Sequence, residues 1–263
     1  MTETANAGGI SIDEVRHGGP RVDRVYTDVL RPSFPPAELV SLASLRAGVT
    51  AGRVTLMIAS DTQGVPHGVA VGEWSESARV MRLNYLAAAP GERSRGIGGR
   101  LLSAAVESWR GRYRPFVLLA QVERPDQHRA SAQHGDPTAR LRFYQRYGAR
   151  ALNLPHYQPA LSPGGDRSYG LLLIALHADD EFRVGPEELT AAPIRRFLVD
   201  FLAAGDPDPD TGDGTDPDGD GRVDQDDPAA LALLSAAERA DGIRMVDLDD
   251  YRRIPASAGQ VSG

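Results

Sequence analysis

The stretch LAAAPGERSRGIGGRLL, from Leu86 to Leu102, is where the hydrophobic period of this chain changes. Before and into it run three strand-like segments, RVTLMIAS at 53–60, HGVAVGEW at 67–74 and ARVMRLNYLAA at 78–88. Their separators, DTQGVP and SES, have the length and residues of hairpin loops. Beyond Pro90 the apolar residues Ile97, Leu101, Leu102, Ala105, Val106 and Trp109 recur at spacings of three and four, one face of a helix. An antiparallel meander thus feeds directly into a helix, and the junction holds Arg93-Ser94-Arg95-Gly96-Ile97-Gly98. At such a junction successive backbone N–H groups point outward, the helix dipole adds partial positive charge, and glycine removes side chains that would hold an anion away. The residues alone leave two readings open, a phosphate cradle or a tight strand-to-helix turn. A dinucleotide-binding loop is a poor match. It would follow the first strand of a βαβ unit and be answered by an acidic residue about 20 residues on, where this chain has Tyr113 to Phe116.

Outward from the junction, PFVLLAQVE at 115–123 reads as a strand buried on both faces, and TARLRFYQRYGA as a second helix stopped by Gly148. ARALNLPHYQ at 149–158 and YGLLLIALH at 169–177 are further strand candidates. Toward the N-terminus, AELVSLASLRAG reads as a short helix, Val22 to Leu30 as a strand, and residues 1–19 as a disordered polar tail. The expected class is α+β, a mixed, largely antiparallel sheet with flanking helices over residues 20–178. Beyond it we expect a C-terminal helix in 179–205, interrupted near Pro193, an acidic segment at 206–227, and a short helix with a flexible tail over 228–263.

Composition narrows the chemistry. The 263 residues include no cysteine and no lysine, which excludes a thiolate nucleophile, a disulfide framework, a thiolate metal site, a Schiff base and a lysine-bearing phosphate loop. All positive charge is arginine, most simply the mark of a GC-rich coding sequence. A second reading is avoidance of an amine that the protein's own chemistry would modify. Residues 206–227 hold ten Asp and one Arg, so this segment carries a net −9 and the rest of the chain, against −7 overall, is at +2. No basic stripe with interleaved aromatics suggests nucleic acid, and no apolar stretch approaches the roughly 20 residues of a membrane span. The opening residues lack the layout of a secretory signal, so cytoplasmic is the default expectation.

Two separated motifs resemble the acetyl-CoA signature of the GNAT acyltransferase superfamily. Leu86-Ala87-Ala88-Ala89-Pro90 followed by Arg93 to Gly98 and an apolar helix is similar to the family's R/Q-x-x-G-x-G/A element, and Phe143-Tyr144-Gln145-Arg146-Tyr147-Gly148-Ala149 to its later F-Y-x-x-x-G-F/A helix. The resemblance implies the GNAT fold, with pantetheine between the strand ending near Ala88 and the one ending near Glu123. It implies pantetheine bonded by the backbone of Leu86, Ala87 and Ala88. Pyrophosphate would rest on the amides of Arg95, Gly96, Ile97 and Gly98, with Arg93, Ser94 and Gly99 completing the loop. It further implies N-acetyl transfer to a primary amine of a small molecule or peptide. Tyr144 would be the general acid at the departing thiolate and an amide near Ala88 the oxyanion donor. For the base, Glu123 stands at a strand end toward the expected cleft, and Glu73 on a neighbouring strand is an alternative acting through water. Many members have an Asn where this chain has Pro137, which leaves Asp136 or Arg140 to substitute. His128 and His134 lie in the loop flanking the cleft. Many GNAT proteins form homodimers, and no residue here decides that point. The competing class is a non-catalytic acyl-CoA-binding or protein-interaction domain with a calcium-responsive acidic tail.

That tail contains DPDGDGRVDQDD at 216–227, which looks like a single EF-hand or dockerin-type loop. Asp216, Asp218, Asp220, Asp224 and Asp227 would supply side-chain oxygens to calcium, Arg222 a backbone carbonyl, and Gly221 the sharp turn. Its twelfth position is Asp rather than Glu, and the loop has no second copy. The alternative is a Pro/Gly/Asp tract too polar to fold.

Overall fold

In the computed structural model, which describes residues 9–92, 95–114, 116–131, 135–161, 165–204, 227–239 and 241–257, the chain divides into two units. The first comprises residues 1–75 and 81–115, the second 76–80 and 116–263.

The first unit opens with β1 (Ser11–Val15), paired antiparallel with the strand at Val54–Ser60 from Ser11↔Ser60 to Val15↔Leu56. The expected disordered tail is therefore wrong at 11–15, where only Val15 is buried and the short polar strand sits at a sheet edge. Helices α1 (Pro20–Val25) and α2 (Arg31–Ser33) follow, joined by a wider π turn over Tyr26–Leu30. The expected strand at 22–30 is thus helical. Pro20 stands in the first turn, and Val22, Val25, Val29 and Leu30 recur at helical spacing to bury one face. Ser41 caps α3 (Leu42–Thr50) by accepting the Ser44 N–H at 3.0 Å, so this helix starts later than the sequence suggested. Strands β2 (Val54–Ser60), β3 (Pro66–Ser75) and β4 (Val80–Ala88) form the expected meander. Helix α4 (Ile97–Tyr113) carries the expected apolar face inward. Its approach to β3 depends on two glycines. A Cβ on Gly68 would come within 2.9 Å of Ile97 and Leu101, and one on Gly72 within 2.6 Å of the Trp109 ring. The opposite sheet face packs Val69 and Val71 with Val22, Val25, Leu45 and Val49.

The second unit contains β5 (Val117–Glu123), α5 (Pro137–Gln145), β6 (Arg150–Leu152), β7 (Leu171–Ala178), β8 (Arg183–Gly185), β9 (Glu188–Leu189), α6 (Ala191–Ala204), α7 (Pro228–Ala237) and β10 (Ile243–Asp247). Its strands lie in the order β5-β7-β6-β10-β9-β8, with β5–β7, β6–β7, β10–β6, β10–β9 and β8–β9 all antiparallel. The strand expected at 149–158 shortens to β6: Asn153 still donates to the Arg244 carbonyl of the paired strand β10, after which the Leu154 N–H turns back to the Leu152 carbonyl and Pro155 has no N–H to give. The tail expected to be flexible after 228 instead supplies β10, followed by a 3₁₀ turn over Leu248–Arg253. Pro193 does not interrupt α6. It is the third residue of the helix, where its missing N–H removes no intrahelical bond. Val117, Leu119, Leu173, Phe182, Ile194, Phe197, Phe201, Leu233 and Met245 share one core, so the segment after 178 is integral to this unit. The fold is α+β, a largely antiparallel sheet with flanking helices.

Candidate functional site

The junction quoted at the outset closes β4 and opens α4. Leu86, Ala87 and Ala88 are the last residues of β4, and the Ala89 N–H donates to the His67 carbonyl at 2.8 Å. Gly96 is the N-cap of α4, with φ 77° and ψ 2°, the left-handed region that favours glycine. No side chain caps this helix, and a Cβ at Gly96 would meet nothing within 4 Å. The Arg100 N–H is satisfied by the Gly96 carbonyl at 3.1 Å, but the amides of Ile97, Gly98 and Gly99 stand in the first turn, where no intrahelical acceptor exists. The uncapped N-terminus of this 17-residue helix carries the partial positive charge of its first-turn N–H groups, an arrangement whose electrostatics favour an anion. Arg95 is 69% exposed in its side chain and paired with Glu92 at 3.2 Å. Glu92 also lies 3.4 Å from His67, which in turn lies 3.4 Å from Asp61. Arg93 and Ser94 lie outside the described residues.

Glu73 belongs to the same unit, on β3. Its Oε2 accepts from Arg82 at 2.7 Å and from Asn84 at 3.0 Å. Burial alone would raise its pKa, but the Arg82 charge and the two hydrogen bonds outweigh that and hold the carboxyl below its ordinary range. The carboxylate is thereby stabilised as the anion, and like Glu123 it has an arginine partner.

In the second unit Glu123 ends β5, and its Oε2 accepts from Arg140 of α5 at 2.7 Å. One turn along α5, Tyr144 is 7% exposed and packs edge-on against Phe143, with ring centroids 5.0 Å apart. Burial pushes the Tyr144 phenol up to about 12, while the Arg140 charge pulls the other way. Burial therefore favours the neutral phenol and makes it a weaker acid than a free tyrosine. The Pro137 departure has a local explanation. Asp136 caps α5 by accepting the Thr138 N–H at 2.8 Å, and Pro137 occupies the first helical position, so D-P here is a helix start. The pairing of Arg140 with Glu123 was missed by sequence reasoning, because strand end and helix are 17 residues apart.

Of the calcium-loop residues, Asp216, Asp218, Asp220, Arg222 and Asp224 lie outside the described residues. Asp227 is described, and both its oxygens are committed. Oδ1 accepts the Ala229 N–H at 2.9 Å as the cap of α7. Oδ2 accepts the Tyr157 hydroxyl at 3.0 Å and Arg167 at 2.9 Å. Asp227 thus acts as a helix cap and ion-pair partner in this structure, and no group of three or more metal-ligating side chains exists among the described residues. No described helix is long and apolar enough to cross a membrane.

No protein-family model and no curated protein matches this sequence. Among solved structures, the chain is similar to one from Bacteroides thetaiotaomicron assigned to the GNAT acetyltransferase family. The two share 25% identity over 57% of this chain and 76% of that one, with a TM-score of 0.45. It is similar to the ribosomal-protein-S18-alanine N-acetyltransferase of Escherichia coli at 17% identity, over 66% and 99% of the two chains, TM-score 0.45. It is also similar to a GNAT-family acetyltransferase of Elizabethkingia anophelis with acetyl-CoA bound, at 16% identity over 64% and 97%, TM-score 0.40.

Proposed function

We propose that this protein is an N-acyltransferase of the GNAT type that moves an acetyl group from acetyl-CoA to a primary amine of a small molecule or peptide. The observation that carries the reading is the start of α4, where a left-handed Gly96, an open space at its Cβ position and first-turn amides follow a strand end of the expected sequence. The amides of Ile97, Gly98 and Gly99 bind pyrophosphate, and the backbone of Leu86, Ala87 and Ala88 binds the pantetheine amides. Arg93 and Arg95 add positive charge at the loop. Bound acetyl-CoA supplies the acyl group as an activated thioester.

The chain's own groups then move protons. An amide near Ala88 donates to the developing oxyanion. Tyr144 gives its proton to the leaving sulfur as the carbon–sulfur bond breaks. Glu123 takes the N–H proton that the amine loses as the carbon–nitrogen bond forms, and Arg140 fixes its carboxylate at the end of β5.

The test is thermal unfolding with and without acetyl-CoA. A ligand that binds only the native state at a hundredfold excess over Kd stabilises it by about 2.7 kcal/mol. A clear upward shift is expected in the parent and a much smaller ligand-induced shift in Gly96→Glu, whose carboxylate repels the phosphates. No shift with acetyl-CoA or with longer acyl-CoAs overturns the reading.

A further inference from the structure

We propose that His128 is the group that converts the acceptor from ammonium to free amine before attack, an inference that rests on the acyltransferase reading above. The argument begins from a hydrogen bond. His128 Nε2 lies 2.9 Å from the carbonyl oxygen of Tyr169. A carbonyl only accepts, so Nε2 carries a hydrogen and in the neutral ring Nδ1 is the bare, basic nitrogen. The protein thus fixes the tautomer, and among the described residues nothing hydrogen-bonds to Nδ1.

The ring's seat is built for it. Gly170 has φ +70°, and a Cβ there would come within 2.7 Å of both His128 Nε2 and Gln127 Oε1. The turn is held from below by Arg124, whose carbonyl accepts the His128 N–H at 2.9 Å and whose own N–H donates to the Gly170 carbonyl at 2.8 Å. That last bond is one step beyond the Glu123↔Leu171 pair. His128 therefore stands at the same end of the β5–β7 pair as Glu123 and its partner Arg140. The charged and titratable groups around the turn are Arg124 with Asp126, Glu123 with Arg140, and Tyr169. Arg124 is paired with Asp126 and Glu123 with Arg140, and His128 Nδ1 joins the Glu123 carboxylate as a second proton acceptor at this strand end.

The step balances without a further reactant. An amine arriving as R–NH3⁺ gives one proton to Nδ1, leaving R–NH2 and an imidazolium that returns the proton to water through the half-exposed ring. The second N–H proton goes to Glu123 during attack, and the sulfur takes its proton from Tyr144. His128 and Glu123 thus serve successive protons.

The experiment compares two small acceptors, ethylamine, a cation at neutral pH, and hydroxylamine, which is uncharged there, with the full chain and acetyl-CoA. His128→Gln keeps an amide N–H able to reach the Tyr169 carbonyl and removes the basic nitrogen. The ratio of ethylamine to hydroxylamine rates is expected to fall about a hundredfold in this variant. In His128→Ala, added imidazole is expected to restore the ethylamine rate. A ratio that stays within twofold of the parent in His128→Gln overturns the proposal, as does failure of imidazole to rescue. Transfer to neither amine by the parent, with acetyl-CoA stabilising it against heat, overturns the inference together with the transfer reading. Absence of that stabilisation overturns the cofactor reading itself.

Discussion

The first unit lays its strands side by side in chain order, β1-β2-β3-β4, whereas the second places β5, β7, β6, β10, β9 and β8 next to one another in that permuted order. The difference teaches how far a sequence pattern reaches. In the first unit each strand pairs with the one before it, and the turn residues between them are visible in the sequence. Asp61, for instance, accepts the Gln63 and Val65 N–H groups at 2.9 and 2.8 Å and so fixes the β2–β3 turn locally. In the second unit the fixing contacts span long loops. Tyr157 reaches Asp227, Arg150 reaches the Met245 carbonyl and Arg124 reaches the Ile254 carbonyl.

The largest expected effect breaks this comparison at its two ends. A chain ending at residue 242 loses β10 and the buried Ile243, Met245, Leu248, Tyr251 and Ile254, and uncovers the edges of β6 and β9. Burial of this size exceeds the few kcal/mol by which a domain is stable, so the second unit is expected not to fold and its near-UV circular dichroism to vanish. Removing residues 1–15 deletes β1, a strand at the sheet edge in which only Val15 is buried, and is expected to lower Tm by a few degrees. Comparable losses from the two truncations would refute the contrast.

Next in size, Trp109→Ala in the first unit is expected to cost about 3–5 kcal/mol by urea denaturation, because the ring fills the space that Gly72 leaves open. The two groups of candidate residues are expected to separate by kinetic parameter. Tyr144→Phe is expected to lower kcat about a hundredfold with acetyl-CoA binding unchanged. Gly96→Glu is expected to act mainly on KM for acetyl-CoA. A Tyr144→Phe variant with full turnover would remove the acid from the scheme.

Asp227→Ala removes a helix cap and the carboxylate that accepts from Tyr157 and Arg167, an expected loss of about 1–3 kcal/mol. The acid limb checks the same residue. Burial tends to raise the Asp227 pKa, but the Ala229 N–H, Tyr157 and Arg167 together hold it below the ordinary value. Its contribution is therefore present above the unfolded value of about 3.9 and lost as pH falls through the lower folded one. Stability measured from pH 6 down to pH 2 is expected to fall less steeply in Asp227→Asn than in the parent, and an unchanged slope would refute the assignment.

The legible parts of the site share a physical reason. Gly96 and Gly98 at a helix start, and Phe143-Tyr144 before Gly148, are contiguous runs whose local backbone geometry carries their meaning. Residues that acquire meaning from partners were not legible. His128 gains a fixed tautomer only because Tyr169 and Gly170 return beside it. Glu123 gains its guanidinium only because α5 packs on β5. Asp227, read as the last position of a metal loop, is a cap and ion-pair partner because Tyr157 and Arg167 fold back onto it.

What the sequence by itself determined was the set of locally encoded elements: the meander from 54 to 88, the apolar face of α4, the glycine junction before it, and the absence of thiol and lysine chemistry. Period and turn residues act over a few positions, and those elements need nothing more. Only the tertiary structure decided that residues 22–30 are helical, that β1 and β10 are strands, and that the C-terminal segment shares a core with β5 and β7. Short polar strands carry little pattern of their own. β1 exists because β2 offers it an edge and β10 because β6 and β9 flank it on both sides, and the positions of those neighbours are properties of the assembled sheet.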